Sequence, residues 1–112
     1  MASNLNTFKT VNAVLSTDNA VVYSAPFGVT SIVLMAQIAN VTANPEEVTF
    51  SHYNTGTTDE TELVKEYTIP SNDAASVITG KLVLESGNSV KAIASANNTL
   101  KITMSVLETL NA

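Results

Sequence analysis

No cysteine occurs in the chain, so no disulfide framework and no thiolate metal or redox site can form. Tryptophan is absent too, and only three Phe and three Tyr are present, which leaves little with which to build a sugar-stacking cleft. Basic residues are scarce. Lys9, Lys65, Lys81, Lys91 and Lys101 stand singly against ten Asp plus Glu, for a formal charge of −5. Binding by phosphate neutralisation concentrates cations on one face, so nucleic acid is not an expected partner. The longest apolar run, Ile32 to Ala36, falls far short of the ~20 residues a membrane-spanning helix needs, so no membrane partner is expected either. The opening Met1-Ala2-Ser3-Asn4-Leu5-Asn6 has neither the basic start nor the apolar core of a secretory leader. The expectation is a soluble protein synthesised in the cytoplasm.

What is present fits a single domain: 112 residues bury a modest core without staples. Charged residues make up 13% of the chain, about half the usual share, and Thr, Ser and Asn carry the polarity instead. Such a surface carries little like-charge repulsion and suits packing at high local concentration. It equally suits exposed strand faces, where Thr is favoured. Asn40-Val41-Thr42 and Asn97-Asn98-Thr99 match the glycosylation sequon, as chance allows in so Asn- and Thr-rich a chain.

Period-two alternation is the dominant pattern. Leu100, Ile102, Met104 and Val106 fall on one face of the last segment, and Lys101, Thr103 and Ser105 on the other, as a half-buried strand requires. Further strands are expected over Phe8 to Leu15, Ala20 to Ala25, Val29 to Asn40, Glu47 to Tyr53 and Glu62 to Ile69, followed by C-terminal hairpins around Ser86-Gly87-Asn88. Breaks at Ser16-Thr17-Asp18-Asn19, Pro26-Phe27-Gly28, Thr42-Ala43-Asn44-Pro45 and Ile69-Pro70-Ser71-Asn72-Asp73 separate them. About eight short strands and no helical periodicity predict an all-β antiparallel sandwich or jelly-roll-like domain over 8–112, preceded by a flexible arm over 1–7.

No constellation of residues carries chemistry. His52 is the single histidine, no Gly-x-Ser-x-Gly elbow supplies a nucleophile, and the glycines at 28, 56, 80 and 87 are isolated rather than gathered into a phosphate loop. Carboxylates cluster at Glu46-Glu47 and at Asp59, Glu60 and Glu62 without EF-hand spacing. A surface calcium there is left open, and solvated acids flanking strands are the plainer account. The expectation is a non-enzymatic protein without catalytic residues, metal ligands or cofactor.

Interface candidates come from hydrophobicity in unexpected places. Val29 to Asn40 is apolar on both faces. If Ile32, Leu34, Ala36 and Ile38 face the core, then Val33 and Met35 on the other side need cover from a partner. Phe27, at the tip of a Pro-Phe-Gly turn, either anchors in a partner's pocket or folds back over the end of the sandwich. Leu5 lies in the N-terminal arm, which is suited to extending a neighbour's sheet by strand addition.

Four stretches taken together resemble the small virion structural proteins of tailed bacteriophages. They are Tyr23-Ser24-Ala25-Pro26-Phe27-Gly28-Val29-Thr30-Ser31-Ile32-Val33, Ile38-Ala39-Asn40, Tyr67-Thr68-Ile69-Pro70, and Leu82 to Ala92 with its Leu-Val-Leu-Glu-Ser-Gly-Asn core. The likeness runs from about Ala20 to Glu108. Asn88 stands where the pattern often has Asp, which keeps the turn and removes a charge that a metal would use. The resemblance implies a small β-sandwich present in many copies on the virion, most simply a capsid decoration or cement protein. Its implied partners are the major capsid protein or another virion protein, together with self-association as a dimer or trimer. Neck, tail or fibre attachment, or an adhesive module that binds a cell-surface glycan, is the alternative.

Overall fold

A computed structural model describes residues 6–111. Among these residues nine strands divide between two sheets: β1 (Asn6–Val14), β2 (Ala20–Ser24), β3 (Val29–Asn40), β4 (Glu46–Asn54), β5 (Asp59–Ile69), β6 (Ala74–Ser76), β7 (Leu82–Leu84), β8 (Ser89–Ala94) and β9 (Leu100–Leu110). Sheet I has the order β1-β9-β3-β6, with β7 also on β3, and sheet II the order β2-β8-β4-β5. Every pairing is antiparallel. Since β6 and β7 both pair with β3, at Gln37–Ala39 and Ser31–Val33 respectively, they are two halves of one interrupted strand. Counted so, the order is that of an eight-stranded jelly roll.

Among the described residues only β4 and β5, both in sheet II, are sequence neighbours that pair with each other. The expected hairpin around Ser86-Gly87-Asn88 is instead an arch, with β7 in sheet I and β8 in sheet II. The turn itself is as the sequence implies. The Asn88 amide donates to the Glu85 carbonyl at 2.9 Å, and Gly87 takes φ +85°, the positive value that a type II turn needs. Turn chemistry is local, whereas the sheet that receives the next strand is decided by side chains far away in sequence. Asn6 and Thr7, at the end of the expected arm, pair with Thr109 and Glu108 in the sheet.

The core lies between the sheets. Val48, Phe50, Val90, Ala92 and Ala94 project from sheet II, and Val33, Ala36, Ile38, Leu84, Leu100, Ile102, Met104 and Val106 from sheet I. The alternation read from the last segment holds in β9, where its four apolar residues are buried.

β3 departs from strict alternation, and that changes which residues face the core. A register shift between Val33 and Met35 inserts Leu34 as a bulge, and one extra residue reverses the facing of everything beyond it. Before the bulge Val29, Ser31 and Val33 are buried; after it Ala36, Ile38 and Asn40 are. The expected core face of Ile32, Leu34, Ala36 and Ile38 is therefore correct only for its second half. Val33 is 0% exposed, inside the sandwich, and is not available to a partner. Met35, paired with the outward Ser105, lies on the outer face.

Asn40 closes one end of the barrel. Its Nδ2 donates to the carbonyls of Asn44 and Ile69 at 2.8 and 3.0 Å, and its Oδ1 accepts from the Thr42 amide and hydroxyl at 2.9 and 2.7 Å. The two carbonyls fix which end of the side chain carries nitrogen. One buried amide thus joins the β3–β4 loop to the end of β5.

Candidate assembly surface

The registers of sheet I place four apolar side chains in one row on its outer face. Phe8 of β1 is opposite Leu107 of β9, Leu107 opposite Ile32 of β3, and Ile32 opposite Val83 of β7. Directly opposed residues share a face and touch, so the row crosses the whole sheet. Met35 adjoins it in the next row, beside Ser105 and Thr10. Phe8 is 74% and Val83 52% exposed, while Leu107, Ile32 and Met35 are half-buried. Two rows further along the face turns polar, with Asn12, Thr103, Gln37 and Ser76 side by side.

Phe27 projects near this end of the sheet. The Val29 amide donates to the Pro26 carbonyl at 3.1 Å and Gly28 takes φ +80°, so Phe27 and Gly28 are the central pair of a type II turn and Pro26 precedes them. From below, the Ser86 hydroxyl accepts from the Gly28 amide at 2.8 Å, and the Gly87 amide donates to the Ala25 carbonyl at 3.0 Å. The ring is held on a braced turn and is 96% exposed. It does not fold back over the sandwich. Leu5 lies outside the described residues.

Beneath the turn a polar cluster joins the two sheets. Tyr23 reaches from β2 to β3 and β9, where its hydroxyl is 2.8 Å from Ser31 Oγ and donates to Glu108 Oε2. Lys9 Nζ lies 3.2 Å from Glu108 Oε1. Ser31 and Glu108 are buried, and a buried carboxylate needs such partners. Burial first, and then the bond to Glu108, pushes the Tyr23 hydroxyl from its ordinary 10 up to about 12.

A stability loss at high pH follows. Above pH 10 the unfolded tyrosine ionises, while the folded one keeps its proton until about pH 12. The folded state therefore holds more protons across that window, and stability falls as pH rises through it. Thermal melts of the native protein should decline between these pH values, and Tyr23→Phe should flatten that decline. An equal decline in the variant would show that Tyr23 is not its source.

The other sequence candidates do not assemble into a site. No group of three or more His, Cys, Asp or Glu able to hold a metal comes together among the described residues, at His52 or elsewhere. Glu60 of the acidic cluster accepts from Asn19 at 3.1 Å and lies 3.8 Å from Lys91, whose ammonium stands 4.6 Å over the Tyr53 ring. Asn88 is buried and receives the Thr55 amide at 3.2 Å, a role for the side-chain oxygen that asks for no charge. Of the residues singled out in the sequence for contact, Phe27 is exposed and Met35 faces outward; Phe8, Ile32, Leu107 and Val83 were not singled out, because a row across strands exists only once the register is known.

No family model matches the chain, and no curated protein matches it in sequence. Solved structures do share the fold. A protein of the Bacillus endospore appendages, which form disulfide-linked pili, matches with TM-score 0.58 and 12% identity over 96% of this chain and 88% of its own. A chain in the acid-stable capsid of Helicobacter pylori bacteriophage KHP30 matches with TM-score 0.55 and 16% identity over 99% of this chain and 92% of its own. VP2 of infectious bursal disease virus, in a subviral particle, matches with TM-score 0.50 and 9% identity over 98% of this chain but 34% of its own. At these identities the likeness establishes the all-β jelly-roll fold.

Proposed function

We propose that this chain is a non-enzymatic structural protein of a bacteriophage particle, a decoration or cement protein that binds the outer surface of the head through the outer face of sheet I and the Phe27 turn. The observation that carries the reading is the apolar row Phe8–Leu107–Ile32–Val83 with Met35 beside it. A small domain seldom leaves a contiguous apolar face without a partner. The low share of charged residues agrees with a role in contact.

The comparisons support a structural role, since the neighbours named above are capsid and pilus proteins. The phage-capsid chain and the pilus protein are both matched nearly end to end in both directions, as proteins of similar size and architecture would be. VP2 contains the fold as one part of a larger chain. The pilus protein belongs to assemblies that are disulfide-linked, a joint that a chain without cysteine cannot make.

Met35→Glu and Val83→Glu place a carboxylate in the contact face at half-buried and exposed positions, so the isolated domain should stay folded. Co-sedimentation with purified heads should drop at least about tenfold for each, since losing 1.4 kcal/mol at an interface has that effect. Undiminished binding by both variants would move the contact to another face.

A further inference from the structure

We infer that β1 is a self-pairing edge through which two copies of this chain join their first sheets into one continuous sheet. The inference deepens the structural reading and rests on it for its setting. Among the described residues β1 pairs only with β9, over nine residues from Asn6 to Val14 without a register shift. A long regular edge offers a row of free backbone groups to another strand. The other edges are guarded. β2 is five residues long with a shift between Val21 and Tyr23, and the β6–β7 edge is broken into two three-residue pieces. β5 has two register irregularities, a positive φ at Glu66, and the carboxylates Asp59, Glu60, Glu62 and Glu66.

Charge selects a second copy as the occupant. β1 contains no carboxylate, and its single cation, Lys9, is paired with Glu108 on the inner side. Two such edges meet with little repulsion, since each lysine is offset by its own Glu108, whereas a pair of β5 edges would bring eight carboxylates together. Antiparallel pairing centred on Thr10 uses all nine residues, sets Phe8 opposite the partner's Asn12, and leaves the two lysines as diagonal neighbours about 7–8 Å apart, each opposite the partner's Val11 and drawn back to its own Glu108. Even-numbered residues then stay on one side throughout, so both apolar rows face the same way. The dimer presents two contact faces to one surface, and linked weak sites bind together far better than singly.

The absence of cysteine makes the test clean. Directly opposed antiparallel residues lie about 4.5–5.5 Å apart at Cα, within the span of a disulfide. Thr10→Cys, treated with oxidised glutathione, should shift from 11.8 kDa to twice that mass on a non-reducing gel. Asn12→Cys, whose two copies would lie roughly 13 Å apart along the strands, should not. Neither should Ser71→Cys, in an exposed turn at the far end. Sedimentation of the untreated native protein should give the dimer, and Thr10→Asp, which opposes two like charges at an exposed position, should give the monomer. A monomeric native protein overturns the inference. So does a native dimer in which Thr10→Cys links no better than Ser71→Cys. A dimer that passes these tests yet ignores phage heads would instead count against the particle role.

Discussion

Replacing Phe50 with alanine is expected to destabilise the fold by about 3–5 kcal/mol, the range for removing a fully buried aromatic ring. Phe50 is the largest of the fully buried side chains. It stands between Ala92 of β8 and Val64 of β5 on the inner face of sheet II, and the alanine beside it makes room for the ring. Register irregularities flank Phe50 on both sides of its pairing with β5. A closely packed site collapses only partly into the space that a lost ring leaves. A loss of this size is a large part of the stability of a small domain and should lower the melting temperature by more than about 10 °C. Urea denaturation monitored by circular dichroism checks it; a loss below about 1 kcal/mol would mean that the site closes after all.

Asn40→Ala is expected to cost about 2–4 kcal/mol, although it removes only one small polar group, because it strands several others. The carbonyls of Ile69 and Asn44 lose a donor, and the Thr42 amide loses its acceptor. The Thr42 hydroxyl keeps a contact to the Asn44 carbonyl at 3.0 Å, which limits the damage on that side. Asn40→Asp is a sharper test of the same network. It retains the acceptor for Thr42 but faces a carboxylate oxygen with two carbonyls. The folded state then holds the acid protonated to higher pH than the unfolded chain does. Stability should thus be lower at neutral pH and partly recovered below about pH 4, where a protonated acid can donate once. A pH-independent Asn40→Asp would show that its two carbonyls are reached by water.

The sequence and the structure agree where the determinants are local. Strand β3 is bounded at Val29 and Asn40 as its flanking breaks imply, and Gly28 and Gly87 take the positive φ that their turns require. The alternation in β9 points the right residues inward because nothing interrupts it. Disagreement begins where the outcome depends on distant partners. The bulge at Leu34 leaves no mark in a run that is apolar throughout, so the facing of Ile32 and Val33 was not legible. It lies opposite the break between β6 and β7, and neither segment alone announces that irregularity. The arch after β7 looks like a hairpin because the same turn serves both. Asn40 stands out in the sequence only as the end of a strand, and its four contacts depend on Thr42, Asn44 and Ile69 arriving beside it. The candidate surface follows the same rule. Phe27 was visible from its turn, whereas Phe8 and Leu107 become neighbours only through the pairing of the first strand with the last.

Cryo-electron microscopy of purified phage particles, with this protein's density located, tests the structural role most directly. The account predicts density at repeated positions over junctions between capsid subunits, with the outer face of sheet I and Phe27 turned toward the shell. Density confined to the tail or neck would contradict the cement role, and absence from the particle would contradict the virion role altogether.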